Sequence, residues 1–362
     1  MRYSLLVAAL FLCTIASAQG GAALSFTEAS ELTITGKVFP ETPNPYHRLD
    51  SAAYKGFTSH EIRLLQNSAG LAVAFVTDSP SITLCTEFGY KSYSLNSNAF
   101  MARGYDLYIR KDGQWLWAAS GVPDDKTPGK PLKIINNLPE GEKECLLYLP
   151  GFSEVLSLKV GVPEGSGIRP LANPFRHRIA VFGSSFTQGA ACSKSGMAWP
   201  SILSRETGLL FLNLGVSGRC KLQDYFAAAL AAAPDVDAFV FDTFSNPTPK
   251  EVEDRLYPFI EAMKAAHPGK PLVFLQTIYR ERGNFDTVNR KWDSDRVALV
   301  ENMMKEACRK YEDVYFLTCT NATSSDHYTS VDGTHPGDYG YTLWARSIRK
   351  PLLKILKKYG IR

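Results

Sequence analysis

Ser185 stands just beyond an apolar run, in "RIAVFGSSFTQG", while Asp332 and His335 share the distant stretch "VDGTHP". A hydroxyl becomes a useful nucleophile when a base takes its proton, and the base works when a third group orients it. Asp332 and His335, three residues apart, can hold that relation on one loop or one helical turn. Between the serine and this pair lie "NLGVSGRC", with Gly215 and Gly218, and "DTFSNP", with Asn246. A developing oxyanion needs rigid donors, and the N–H groups of Ser185 and Gly218 with the side-chain amide of Asn246 are suitable. A lone serine after a strand is an ordinary turn residue. Each of these groups follows its own apolar run, and that shared placement points instead to acyl transfer through Ser185.

Other chemistries for the same turn fail on spacing. A phosphate cradle would put its second glycine at Gln188 and then a lysine, which is missing. The dinucleotide pattern lacks its second glycine, and GxSxG fails because Thr187 occupies the last glycine's place. His327 is the rival base, but Asp326 is its immediate neighbour, and adjacent residues rarely face each other. No CxxC or HExxH is present, so neither a metal nor a cofactor is expected. Trp199, Tyr279, Arg280 and Arg282 are candidates for the cleft lining; for Trp199 a place in a helix core is the simpler reading.

Two kinds of element must position these groups. Residues 24 to 160 contain short β-branched and aromatic runs, "LAVAFVT", "SITLCTEF" and "ECLLYLP" among them, separated by turn clusters and without a convincing amphipathic helix. That is the pattern of an all-β sandwich, here of jelly-roll type. The Gly- and Pro-rich segment 161–177 reads as a linker. Beyond it, five nearly all-apolar strands alternate with helical segments near 198–207, 222–233, 249–266, 288–311 and 339–358. Such strands mean a parallel sheet covered on both faces, hence a three-layer αβα domain over 178–362. Open sheets of this kind take ligands at the carboxyl ends of their strands, where Ser185 and its partners should meet.

Residues 1–18, with Arg2, the run "LLVAALFLCTIA" and the small-residue end Ala16-Ser17-Ala18, read as a secretory signal peptide cleaved before Gln19. The β-sandwich domain would then cover 19–160. Lipid attachment at Cys13 is disfavoured by the bulky Leu12 before it. No later run is long enough to span a bilayer. A formal charge of +4 over 362 residues, without a block of like charges, gives no reason to expect a nucleic-acid partner. Export suits disulfides, but the pairing of the six cysteines beyond Cys13 cannot be read from sequence; buried thiols or one or two disulfides are open, and Cys192–Cys220, near the site segments, is the candidate pair.

The segments GSSFTQG, NLGVSG, SN and DGTHP, in this order, resemble the four blocks of the SGNH, or GDSL-like, hydrolases. The resemblance implies Ser185 as nucleophile, Gly218 and Asn246 in the oxyanion hole, and Asp332 and His335 as orienter and base. Ser184 replaces the family's usual aspartate, and Phe244-Ser245-Asn246-Pro247 replaces its Gly-x-Asn-Asp. "RGYDLYIR", 103–110, is similar to the Gly-x-Asp-Leu-Tyr motif of a β-domain that precedes some members. The resemblance, with export, implies an esterase removing an O-acyl group, in first place O-acetyl, from a carbohydrate. The alternatives are a lipase or other acyl esterase, and a catalytically silent glycan-binding protein.

Overall fold

The computed structural model describes residues 23–124, 126–318, 321–324 and 326–362. The expected signal peptide, Cys13 and Cys319 lie outside them. The N-terminal half contains β1 (Leu24–Glu28), β2 (Thr33–Thr35), α1 (Ser59–Leu65), β3 (Ala72–Thr77), β4 (Ile82–Phe88), α2 (Ala99–Arg103), β5 (Tyr105–Lys111), β6 (Gln114–Gly121), β7 (Leu132–Ile135), β8 (Lys143–Tyr148), β9 (Val155–Pro163) and β10 (Ile168–Pro170). One sheet has the order β1-β9-β4-β7; the other runs β10-β3-β8-β5-β6, with β2 also on β3. Val73 and Phe75, Ile82 and Leu84, Leu107, Leu147, Leu158 and Val160 fill the space between them.

Two details differ from the sequence expectation. The β-domain holds two short helices: α1, opened by a Thr58–Glu61 capping box, and α2, capped by Asn98. The segment 161–177 contains the end of β9, all of β10, which pairs with β3, and the first residues of the next strand, which begins at Arg176. Only 171–175 runs between the two halves' strands.

The C-terminal half alternates β11 (Arg176–Gly183), α3 (Ser185–Gln188), α4 (Trp199–Thr207), β12 (Leu209–Gly215), α5 (Asp224–Ala231), β13 (Ala238–Asp242), α6 (Pro249–Ala266), β14 (Leu272–Leu275), α7 (Thr287–Lys310), β15 (Val314–Leu317) and α8 (Asp338–Lys357). The sheet is parallel and five-stranded, in the order β12-β11-β13-β14-β15. Ala180, Phe182, Phe239, Phe241 and Phe274 point to one face, packing with Phe226 of α5, Phe259 of α6 and Met304 of α7. Ile179, Val181, Val240 and Leu275 point to the other, packing with Leu203 of α4 and Trp344 of α8. This is the expected three-layer αβα arrangement. No described helix is long and apolar enough to cross a membrane.

The halves share a core. Ala72, Ala74, Tyr108, Leu146 and Tyr148 leave the sandwich interior and join the cluster that contains Leu212 and Phe226. The buried Arg48 donates to Leu64 O at 2.5 Å and Asn67 O at 2.9 Å in the β-domain and to Gly215 O at 2.8 Å at the end of β12. In the Gly-x-Asp-Leu-Tyr stretch, Leu107 packs inward as expected, but Asp106 accepts from Gly196 N at 3.0 Å and Tyr108 lies 4.1 Å from the Arg205 guanidinium. That motif is therefore also part of the clamp between the halves.

Candidate active site

Register brings the ends of three strands to one level, since Gly183 of β11 pairs with Gly215 of β12 on one side and with Asp242 of β13 on the other. Ser185, Gly218 and Asn246 follow these ends by two, three and four residues. A side chain at Gly215 would run into the backbone of Gln188, so glycine lets α3 sit directly on the strand end. Ser184 caps α3 by accepting from Phe186 N, and its own hydroxyl donates to Asp242 at 2.8 Å. Thr187 donates to the same carboxylate oxygen at 2.9 Å. Burial lifts the Asp242 carboxyl to about 6 despite these bonds. The turn that presents Ser185 is thus pinned from below by a buried acid.

His335 Nε2 lies 2.9 Å from Ser185 Oγ, and its Nδ1 lies 2.8 Å from Asp332 Oδ2. Ser185 is buried, whereas the His335 side chain is 16% exposed and that of Asp332 31% exposed, so a substrate can reach the histidine edge. The loop holding them is braced by a bridge between Ser330 and Pro336 and by a bond from Val331 N to His335 O. Phe186 meets the imidazole edge-on at 5.5 Å. Asp332 Oδ1 accepts from the N–H groups of Thr334 and His335 at 2.9 and 2.7 Å. Burial alone would raise the Asp332 carboxyl, but the bonds from His335, Asn96 and Thr334 outweigh it and hold the group well below the usual range. A permanently ionised Asp332 requires the proton on His335 Nδ1, leaving Nε2 to accept from the serine.

Gly218 has φ +71° in an exposed turn, a conformation that suits glycine. That turn is held by Gln188, which accepts from Ser217 N at 3.0 Å while donating to Gly151 O at 3.0 Å in the β-domain. Among the described residues, no protein acceptor takes the N–H of Ser185 or of Gly218. Asn246 is half-buried in the turn after β13. Its neighbour Ser245 donates to Asp242 and exchanges a 2.8 Å bond with Thr277.

The other candidates divide. His327 is 2.7 Å from Glu281 and so pairs outside the Ser185 chain. Trp199 is fully buried and stacked on Trp344 at 5.6 Å, a core position. Arg280 lies under the site, 5.9 Å from the Phe186 ring and bonded to Ser245 O at 2.5 Å, while Arg282 N donates to Gly333 O beside Asp332. Tyr279 is exposed and donates to Asn284. The candidate Cys192–Cys220 disulfide is absent: both thiols are free, Cys192 in the core under α4 and α8, Cys220 in the core under α5 and α6, on opposite faces of the sheet. Burial pushes both thiols well up.

One group escaped sequence reasoning. Asn96, in the β-domain loop between β4 and α2, places its amide 3.1 Å from Asp332 Oδ2 and 3.3 Å from His335 Nδ1. With Nδ1 carrying the proton, the amide's acceptor is Asp332. No local pattern marks such a residue, because its role exists only across the two halves.

The profile of the GDSL-like lipase/acylhydrolase family matches residues 176–353, and that of the GxDLY domain, the N-terminus of SGNH-hydrolase-type esterases, matches 24–168. No curated protein sequence matches the chain. Among solved structures, a GDSL-like lipase from Bacteroides ovatus is 37% identical, with a TM-score of 0.87 over 92% of this chain and 98% of its own. A salicylyl-acyltransferase from a tetracycline biosynthetic pathway is 19% identical, TM-score 0.68, over 93% and 98% of the two chains. A family two carbohydrate esterase from Clostridium thermocellum, in complex with cellohexaose, is 13% identical, TM-score 0.57, over 81% and 94%. These last two share the fold. Matched by profiles on both halves and by a 37% identical structure along nearly its whole length, the chain belongs to the GDSL-like, or SGNH, hydrolases, with the GxDLY domain at its N-terminal side.

Proposed function

We propose that the protein is an exported serine esterase that removes an O-acyl group, in first place acetyl, from a carbohydrate. The observation that carries the reading is the unbroken chain Ser185 Oγ, His335, Asp332, with links of 2.9 and 2.8 Å. Ser185 Oγ attacks the acyl carbonyl as its proton passes to His335 Nε2. The negative charge on the carbonyl oxygen is met by the N–H groups of Ser185 and Gly218 and the amide of Asn246. Collapse of the tetrahedral adduct breaks the C–O bond, and His335 returns its proton to the departing sugar oxygen. Water, deprotonated by the same nitrogen, then attacks the acyl-Ser185 ester and releases the acid and the free serine. Asp332 stays ionised throughout, fixing the imidazole tautomer and stabilising the imidazolium.

The carbohydrate part rests on the attached β-domain, the expected signal peptide and the fold shared with a cellohexaose-bound esterase. The test is acetate release from a panel of acetylated glycans by wild type and Ser185→Ala. Release by the wild type that the variant lacks is expected; equal release by both would rule out the nucleophile. Faster turnover of long-chain acyl esters than of acetyl esters would favour a lipase instead. Glycan binding without turnover of any ester would make the protein a silent binder.

A further inference from the structure

A cavity of about 200 Å³ opens between the two halves, lined among others by His60, Arg63, Asn67, Tyr90, Ser94 and Ser217. It adjoins the reactive groups on two sides. Ser217 precedes Gly218, and Ser94 donates at 2.7 Å to Asn96, whose amide reaches Asp332. The volume is below the roughly 300 to 1,000 Å³ of sites for drug-sized ligands, so it suits one ring rather than a long chain.

Its charge is one-sided. Arg63 lines it, and Arg219 directly follows Gly218. After burial, the charges of Arg219 and Arg63 push the His60 imidazole down. No carboxylate lines the cavity. The acids nearby are taken: Glu61 accepts from Thr58 and Tyr225, and Glu154 from His47 and Tyr90 N. Among the described residues neither Arg63 nor Arg219 is in an ion pair; Arg63 makes a 3.4 Å bond to Ser59 O and lies 5.7 Å from the face of the half-exposed Tyr90 ring. Asn67, 1% exposed, adds a side-chain oxygen that the protein leaves unpaired. A guanidinium outside any ion pair, lying in the cavity against an aromatic face, is matched to a planar carboxylate on a ring.

We infer that this cavity is a substrate subsite for a carboxylate-bearing sugar, a uronic acid unit next to the acylated one, held by Arg63 against Tyr90, with the positive charge of Arg219 nearby. This rests on the ester-hydrolase reading and narrows its substrate to acidic glycans. The experiment compares kcat/KM for acetylated oligogalacturonate and for the same oligosaccharide with its carboxylates converted to neutral amides, with 4-nitrophenyl acetate as a substrate that has no sugar. One exposed arginine–carboxylate contact supports a preference of up to about 5-fold for the acidic form, shrinking as salt is raised. Arg63→Ala should lose most of it with 4-nitrophenyl acetate turnover and melting temperature unchanged, and Arg219→Ala should lose part.

A wild type without preference, or a preference that survives both substitutions, overturns the subsite while leaving the esterase intact. Stronger turnover of a sulfated than of a uronate oligosaccharide also overturns it. Should no ester be turned over at all, the underlying reading fails, and calorimetry with unacetylated oligogalacturonate judges the subsite alone. Binding that Arg63→Ala weakens several-fold upholds it, and no binding overturns it.

Discussion

Replacing Asn96 by alanine isolates what the β-domain contributes to the chemistry. The amide donates to Asp332 Oδ2 at 3.1 Å and is itself held by Ser94 at 2.7 Å. A hydrogen bond to a charged group is worth roughly 1.5 to 3 kcal/mol net, and because Asp332 is 31% exposed, water replaces part of the loss. The lower end applies, about 1.5 kcal/mol, which is about tenfold in rate. Asn96 is a positioning residue, so Asn96→Ala should lower kcat about tenfold with KM within twofold and melting lower by no more than about 2 to 6 °C. Asn96→Asp, which sets a second carboxylate beside the first, should cost more than the alanine. The assay is initial-rate hydrolysis of a short acyl ester from pH 4 to 9. A kcat for Asn96→Ala within twofold of wild type would refute the coupling of the two halves through this residue.

Further outcomes follow from the same geometry. The folded-state value of Asp242, about 6, lies above its unfolded value, so its contribution is favourable below the unfolded pKa and is lost as pH rises through 6. Asp242→Asn, which can keep an acceptor for Ser184 and Thr187, should therefore gain on wild type by on the order of 2 to 3 kcal/mol between pH 4 and 8. Urea midpoints that shift in parallel across this range would contradict it. Asn246→Ala should lower kcat on the order of 100- to 1,000-fold if its amide meets the oxyanion; an unchanged kcat would remove it from that role. His327→Ala should keep activity and His335→Ala should lose it, and the reverse pattern would reassign the base.

The parallel half was legible because its signals are local. Each strand is an uninterrupted apolar run, each is followed by a helical period, and α4, α6, α7 and α8 fall within a residue or two of the expected segments. Ser185, Asp332 and His335 could be paired from strand-end logic, because the sheet enforces their meeting. The β-domain was harder. Its two short helices carried readable caps, Thr58-Ser59-His60-Glu61 and Asn98, but lie among strands with no helical period long enough to register. The disulfide expectation failed for a topological reason: nearness to the same site segments says nothing about which face of a sheet a side chain takes.

What local reading missed was the dependence of one half on the other, and one strand carried a trace of it. An antiparallel strand with a wet face alternates polar and apolar residues. In β3, Ala72 to Thr77, every residue is buried. Val73 and Phe75 face the sandwich interior, and Ala72 and Ala74 face the catalytic half. An edge-to-edge apolar strand in an otherwise alternating domain thus already implies that something covers its second face. That cover, with Arg48 bonded to carbonyls on both sides, holds the β-domain at a set distance from the strand ends. The fixed distance lets Asn96, on a loop 236 residues before Asp332 in the chain, meet it at hydrogen-bond length. A hinged domain would lose that contact to thermal motion, so the buried interface is what makes a side chain of the β-domain usable in the active site.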